Sequence, residues 1–176
     1  MLKNLGFDSV EIPVFHTSDL ASYRRLGRRL ESPGLSATAI TVMGAESNPI
    51  SPDRSVRDSA VAHLDRALEC GQQFGCTILC GPLHSALGAF SGKGPTEDEF
   101  RYGVETLQRA ADKAQARGIK LAVEPLNRFE SYFLTTVEQA VRFVHAVDHP
   151  SCKMMYDTFH LTEDLITAVL LENSIR

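Results

Sequence analysis

Short apolar runs take turns along the chain with longer stretches in which apolar residues recur every three or four positions, and this order predicts βαβαβαβαβα. Val10 to Phe15 reads as the first strand. The helix after it opens near Ser18, sets Leu20, Tyr23, Leu26 and Leu30 on one face, and stops at Pro33-Gly34. Ser36 to Met43 reads as the second strand. Ser51-Pro52-Asp53 then supplies an N-cap, a proline at the first helical position and an early acidic residue. In the helix that follows, Val56, Ala60, Leu64, Ala67 and Leu68 form the inward stripe, and Gly71 and Gly75 lie towards its end.

Thr77 to Pro82 reads as the third strand, and the loop from Leu83 to Pro95 carries Gly88, Gly92 and Gly94. Thr96-Glu97-Asp98-Glu99 is a capping box that opens a helix with Phe100, Val104, Leu107 and Ala111 inward and Gly118 as its stop. Ile119 to Leu126 is the fourth strand. Thr135-Thr136-Val137-Glu138 predicts a second capping box and a helix with Val137, Val141 and Val144 on one side, broken by Asp148-His149-Pro150. Lys153 to Phe159 is the fifth strand, and Asp164 to Leu171 fits a last helix.

The strand midpoints, near Ile12, Ile40, Leu79, Val123 and Tyr156, are 28, 39, 44 and 33 residues apart. That spacing suits βα units and a parallel sheet. Runs such as Ile119 to Val123 suit strands covered on both faces. Both a doubly wound sheet and a barrel satisfy the pattern.

Composition narrows the setting. With 176 residues, 43% hydrophobic and 23% charged, the expectation is one domain spanning residues 1–176. The net charge of −4 is spread along the predicted helices, without the basic stripe that binds phosphate backbones, so nucleic acid is not an expected partner. The start of the chain lacks the apolar core of a signal peptide, and no run reaches the roughly 18 apolar residues of a membrane span. A cytoplasmic location without membrane attachment is expected. Cys70, Cys76, Cys80 and Cys152 form no CxxC pair and are expected to be buried free thiols.

In parallel α/β folds, polar residues at the carboxyl ends of strands face the ligand crevice. Glu124 and Asp157 each break an apolar strand pattern there, where a lone ionised carboxylate is costly without a cation or a strong donor. Two carboxylates on neighbouring strands, roughly 5 Å apart, can share one hard divalent ion. Spacing equally allows Glu124 to pair with Arg128 and Asp157 to cap the following turn. His160 could assist at the site or serve as a structural hydrogen-bonder. Lys120 and Lys153 open their strands at the opposite end and are expected to be solvated.

The segment Glu124-Pro125-Leu126-Asn127-Arg128-Phe129-Glu130 closely resembles the tagatose/psicose (allulose) 3-epimerase family, within the xylose-isomerase-like barrel superfamily of sugar isomerases and epimerases. Asp157-Thr158-Phe159-His160, Cys80 to Gly88 and Ser51 to Arg57 resemble further segments of that family, and the likeness runs from residue 6 to about residue 160. The resemblance implies an α/β fold, a partial (β/α)8 TIM barrel of about five parallel βα units, family strands 2 to 6. It implies that Glu124 and Asp157 are metal ligands, that Glu124 is one of two catalytic glutamates, and that Glu130 and His160 hold sugar oxygens. Met43 is expected at the far end of the sugar or, equally, in the core. Glu11 could contact the site, and His84 lies in a pocket loop or at the surface. The implied cofactor is Mn²⁺ or Mg²⁺, with Co²⁺ as a third option.

The implied reaction inverts a ketose at C3. A proton alpha to the carbonyl is removed by one glutamate and returned on the opposite face by another, while the metal stabilises the enediolate. The chain departs from the family at both ends. Family strands 1, 7 and 8, the second catalytic glutamate and a histidine ligand have no counterpart, residues 161–176 read as a divergent tail, and Glu163 and Glu172 receive no catalytic role. A shortened, impaired epimerase is one expectation, and a non-catalytic remnant or assembly subunit is the alternative. Exposed sheet edges favour homo-oligomers. A relation to endonucleases acting at abasic sites is disfavoured by the acidic balance.

Overall fold

The computed structural model of the chain describes residues 2–31 and 34–161. Strands β1 (Ser9–Pro13), β2 (Ser36–Ile40), β3 (Ile78–Gly81), β4 (Lys120–Val123) and β5 (Cys152–Met154) alternate with helices α1 (Leu20–Glu31), α2 (Arg54–Gln72), α3 (Glu97–Gln115) and α4 (Val137–Val147). All five strands join one sheet in the order β1-β2-β3-β4-β5, and every pairing is parallel. A doubly wound sheet would reverse its order at a switch point. The consecutive order is that of a barrel wall, which resolves the ambiguity left by the spacing.

The pleat assigns the two faces of this wall. Ala37, Ala39, Leu79, Leu121, Val123 and Cys152 are buried against the helices. Their neighbours in sequence, Thr38, Ile40, Ile78 and Ala122, are half-buried, and Lys120 and Lys153 are exposed. Among the described residues helices therefore cover one face, whereas the apolar runs suggest strands covered on both. The other face lines an open groove of about 380 Å³ that includes Glu11, Thr38, Ile78, Cys80 and Met155. In α2 the buried stripe is Ala60, Leu64, Ala67 and Leu68, as the three-to-four spacing predicts, and each fully buried leucine contributes about 1.5–3 kcal/mol. α3 packs on both α2 and α4. Leu107, Ala110 and Ala111 are inward, and the Phe143 ring meets Phe100 and Phe133 edge-on at 5.7 and 5.9 Å.

Local chemistry moves several element ends. The N-cap of α2 is Asp53, whose carboxylate accepts from the Ser55 N–H at 2.8 Å, while Ser51 Oγ accepts from the Asp53 N–H one turn earlier. The Thr96/Glu99 box forms as read from the sequence. The second box is shifted by one residue. Thr136 is the N-cap and Gln139 reaches back, because an amide oxygen serves as well as a carboxylate and can also accept from the Thr135 N–H. The inward face of α4 follows that shift and consists of Ala140, Phe143 and Val147, leaving Val141 exposed. Asp148 ends the helix in the left-handed region, φ 47°. β5 stops at Met154, and Asp157 to His160 are no longer strand. The predicted helix from Asp164 to Leu171, with Glu163 and Glu172, lies outside the described residues.

All four cysteines are buried free thiols. Burial pushes Cys76 up to about 11 and Cys152 up to about 12, so both are inert at neutral pH. Among the described residues no helix is long and apolar enough to cross a membrane.

Candidate active site

Glu124 is the first residue beyond β4. Its N–H donates to the Gly81 carbonyl at 2.9 Å, which extends the β3–β4 ladder by one rung and fixes the direction of its side chain. Gly81 has φ 124°, and a Cβ there would lie 2.2 Å from the Thr41 carbonyl oxygen, so β2 approaches β3 closely at this end only because residue 81 is glycine. On the adjacent strand, the Met155 N–H donates to the Val123 carbonyl at 2.9 Å before the chain turns away. Asp157 heads a helical turn over residues 158–161. Its Oδ1 accepts from the Phe159 N–H at 2.8 Å, and its carbonyl accepts from Leu161 at 3.2 Å. That turn swings His160 back over β4, where Nε2 stands 3.8 Å from Glu124 Oε1.

The two carboxylates bring oxygen atoms within 4.8 Å of each other. Glu124 is only 5% exposed. Burial, followed by the negative charges of Asp157 and Glu11, the bond to Asp157 and the charge of Glu130, pushes its carboxyl up to about 7. Two carboxylates this close share a proton unless a cation offsets their joint charge. The sequence left open a pairing of Glu124 with Arg128, but Arg128 is exposed and stacks on the Phe129 ring at 5.4 Å. Among the described residues, the basic side chain nearest to ion-pair distance of Glu124 is His160, whose Nε2 lies 3.8 Å from Oε1. The alternative for Asp157, capping the next turn, is realised through Oδ1, so capping and a place beside Glu124 coexist.

Glu130 joins this group through Asn127. The turn over 127–130 buries Asn127, whose Oδ1 accepts from the Phe129 N–H at 3.0 Å while its Nδ2 reaches Glu130 Oε1 at 3.3 Å and His160 Nδ1 at 3.0 Å. The Glu130 carbonyl also accepts from Gly88 at 2.9 Å, tying the loop after β3 to this turn. Thus Glu124, Asp157, His160 and Glu130 come together although 36 residues separate the first from the last. Met43 does not join them. It is 1% exposed within the helix-covered core, and its carbonyl accepts from Leu87 at 2.9 Å. Glu11 faces the open groove, where its carboxylate accepts from Cys80 Sγ at 3.0 Å.

Two participants carried no distinct signal in the sequence. Asn127 is a polar residue inside a polar turn, and only the fold reveals that it bridges two others. His84 is fully buried, so the surface reading fails. Its Nδ1 bonds Ser85 Oγ at 2.9 Å, its ring lies 5.9 Å from that of Phe133, and desolvation holds it down to about 3, so it is a buried neutral ring.

Glu124, Asp157 and His160 each offer a ligand atom, and these atoms lie within 4.8 Å of one another. Oxygen-rich donor sets of this kind fit a hard divalent ion, and the closeness of the two carboxylates gives that ion a role in relieving their repulsion.

Known proteins resemble the chain over most of its length. D-psicose 3-epimerase of Ruminiclostridium cellulolyticum is 32% identical over 164 residues, 91% of this chain and 56% of the relative. That of Agrobacterium fabrum is 31% identical over 163 residues, with the same two shares, 91% and 56%. Among solved structures, D-psicose 3-epimerase with D-tagatose from Clostridium cellulolyticum H10 superposes with a TM-score of 0.81 at 31% identity, covering 90% of this chain and 56% of that one. An L-ribulose 3-epimerase superposes with a TM-score of 0.83 at 27% identity, covering 90% and 52%. The chain spans somewhat more than half the length of these relatives. The profile of one family, the xylose isomerase-like TIM barrel, matches residues 1–175, and with the parallel sheet order and the carboxylates at its strand ends this places the chain as a member of that family.

Proposed function

We propose that this chain belongs to a divalent-metal-dependent ketose 3-epimerase, in which Glu124 and Asp157 are metal ligands, Glu124 also transfers a proton, and Glu130 and His160 hold sugar oxygens. The observation that carries the reading is the cluster of buried Glu124 with Asp157 and His160, ligand atoms within 4.8 Å, at the carboxyl ends of adjacent strands, in a chain whose relatives are D-psicose and L-ribulose 3-epimerases.

A divalent ion bound between the carboxylates supplies a positive charge that lowers the cost of negative charge developing on the ketose oxygens. Glu124, at the end of β4 beside Asp157, is placed to take the proton from the carbon next to the ketose carbonyl. The Glu130 carboxylate, oriented by Asn127, accepts from a sugar hydroxyl, and the His160 ring contacts an oxygen near Glu124. Inversion also needs a proton donor on the opposite face of the carbon, a task not assigned to any of the described residues. Mn²⁺ and Mg²⁺ both suit the oxygen-rich set, as does Co²⁺.

Mn²⁺ binding followed by the electron paramagnetic resonance of the free ion, together with conversion of D-fructose to D-psicose, tests the proposal. Glu124→Gln and Asp157→Asn are each expected to weaken Mn²⁺ binding by more than the roughly 10–100-fold that outer partners of a metal site are worth. Unchanged Mn²⁺ affinity in both variants would sink the site. Tight binding without turnover would favour the non-catalytic alternative.

A further inference from the structure

The atoms around Asn127 determine which nitrogen of His160 carries its proton. His160 Nδ1 receives two contacts, from the Asn127 backbone N–H at 3.4 Å and from Asn127 Nδ2 at 3.0 Å. A backbone N–H only donates. The orientation of the side-chain amide is settled independently, because its Oδ1 accepts from the Phe129 N–H at 3.0 Å and its Nδ2 faces the Glu130 carboxylate at 3.3 Å. Turning the amide over would set donor against donor at Phe129 and acceptor against acceptor at Glu130. Both groups facing Nδ1 are therefore donors, and Nδ1 holds a lone pair.

We infer that Asn127 is a positioning residue that fixes His160 as its Nε2–H tautomer, so that the ring presents a hydrogen-bond donor rather than a lone pair on the side of Glu124. The inference deepens the proposed function and rests on its assignment of Glu124 and His160 to one site. Three groups crowd within 4.8 Å, but only two of them, the carboxylates, offer free electron pairs to a cation. The nitrogen of His160 that faces Glu124 Oε1 at 3.8 Å carries hydrogen and suits a keto or hydroxyl oxygen of the substrate. The same amide nitrogen holds Glu130 Oε1, so one buried side chain orients both a donor, His160, and an acceptor, Glu130. Asn127 thereby acts through both residues.

Nitrogen-15 NMR of the imidazole rings tests this directly in the metal-free chain without substrate, so the result does not depend on whether metal binding or epimerisation is detected. The measurement is made at about pH 8, above the ordinary imidazole range, with the His160 signal assigned by its loss in His160→Gln. A pyridine-like Nδ1 and a pyrrole-like Nε2 are expected in the wild-type chain. Asn127→Asp keeps the side-chain shape and replaces the donor with an acceptor. It is expected to shift the ratio towards Nδ1–H by roughly tenfold or more, a size that one hydrogen bond to a charged group supports. A protonated Nδ1 in the wild-type chain overturns the inference without any variant, and an unchanged ratio in Asn127→Asp overturns the role of the amide.

Discussion

Glu124 is the residue at which burial and function pull against each other. Its carboxyl is pushed up from an ordinary value of 4.5 to about 7 by burial and by Asp157, so without metal the folded chain holds a proton that the unfolded chain releases. The stability this confers is complete below about pH 4.5 and is lost as the pH rises through about 7. Denaturant titrations of the metal-free chain across that window are expected to show a decline that Glu124→Gln flattens, and an unchanged slope in the variant would contradict the burial argument. Metal binding runs the other way, because a cation competes with that proton and binds more tightly as the pH rises. Strand-end position marked Glu124 and Asp157, with His160 beside them, while Glu130 entered only through the family resemblance. The bridging by Asn127 and the burial of His84 could not be read that way, since both are properties of neighbours brought together by folding.

Strands and helices show where local chemistry is decisive and where it is overridden. The Thr96/Glu99 box is complete within one turn, so the sequence predicts it without reference to the fold. Thr96→Ala is expected to cost about 1 kcal/mol, measured by thermal or denaturant unfolding, without disturbing the site. At α4 two adjacent threonines offer equivalent caps, and Gln139 together with the inward Ala140, Phe143 and Val147 selects the second. At β3 the decisive fact is a close approach between strands. Gly81→Ala places a methyl group against the Thr41 carbonyl at a backbone angle that alanine rarely adopts. The expected destabilisation is ~2–4 kcal/mol. Because the Gly81 carbonyl receives the Glu124 N–H, weaker Mn²⁺ binding should accompany it. A variant as stable as the parent would show that the strands can separate at no cost.

For the molecule as a whole, the described residues form a parallel five-stranded wall with helices on one face and an open groove on the other. Among the described residues β1 and β5 each pair on one side only. Unpaired strand edges beside a partly apolar groove favour self-association, so light scattering of the purified chain is expected to show dimers or larger species, and a monomer at high concentration would count against this. The sequence by itself determined the alternation of elements, the parallel sheet, the capped start of α3 and the two carboxylates, because periodicity and capping act over a few residues and a buried charge stands out in an apolar run. Only the tertiary structure decided that the sheet is a barrel wall, that α4 turns Phe143 inward, that Met43 belongs to the core, and that Asn127 joins Glu130 to His160. Those facts depend on which surfaces meet across tens of residues, and no local pattern encodes such a meeting.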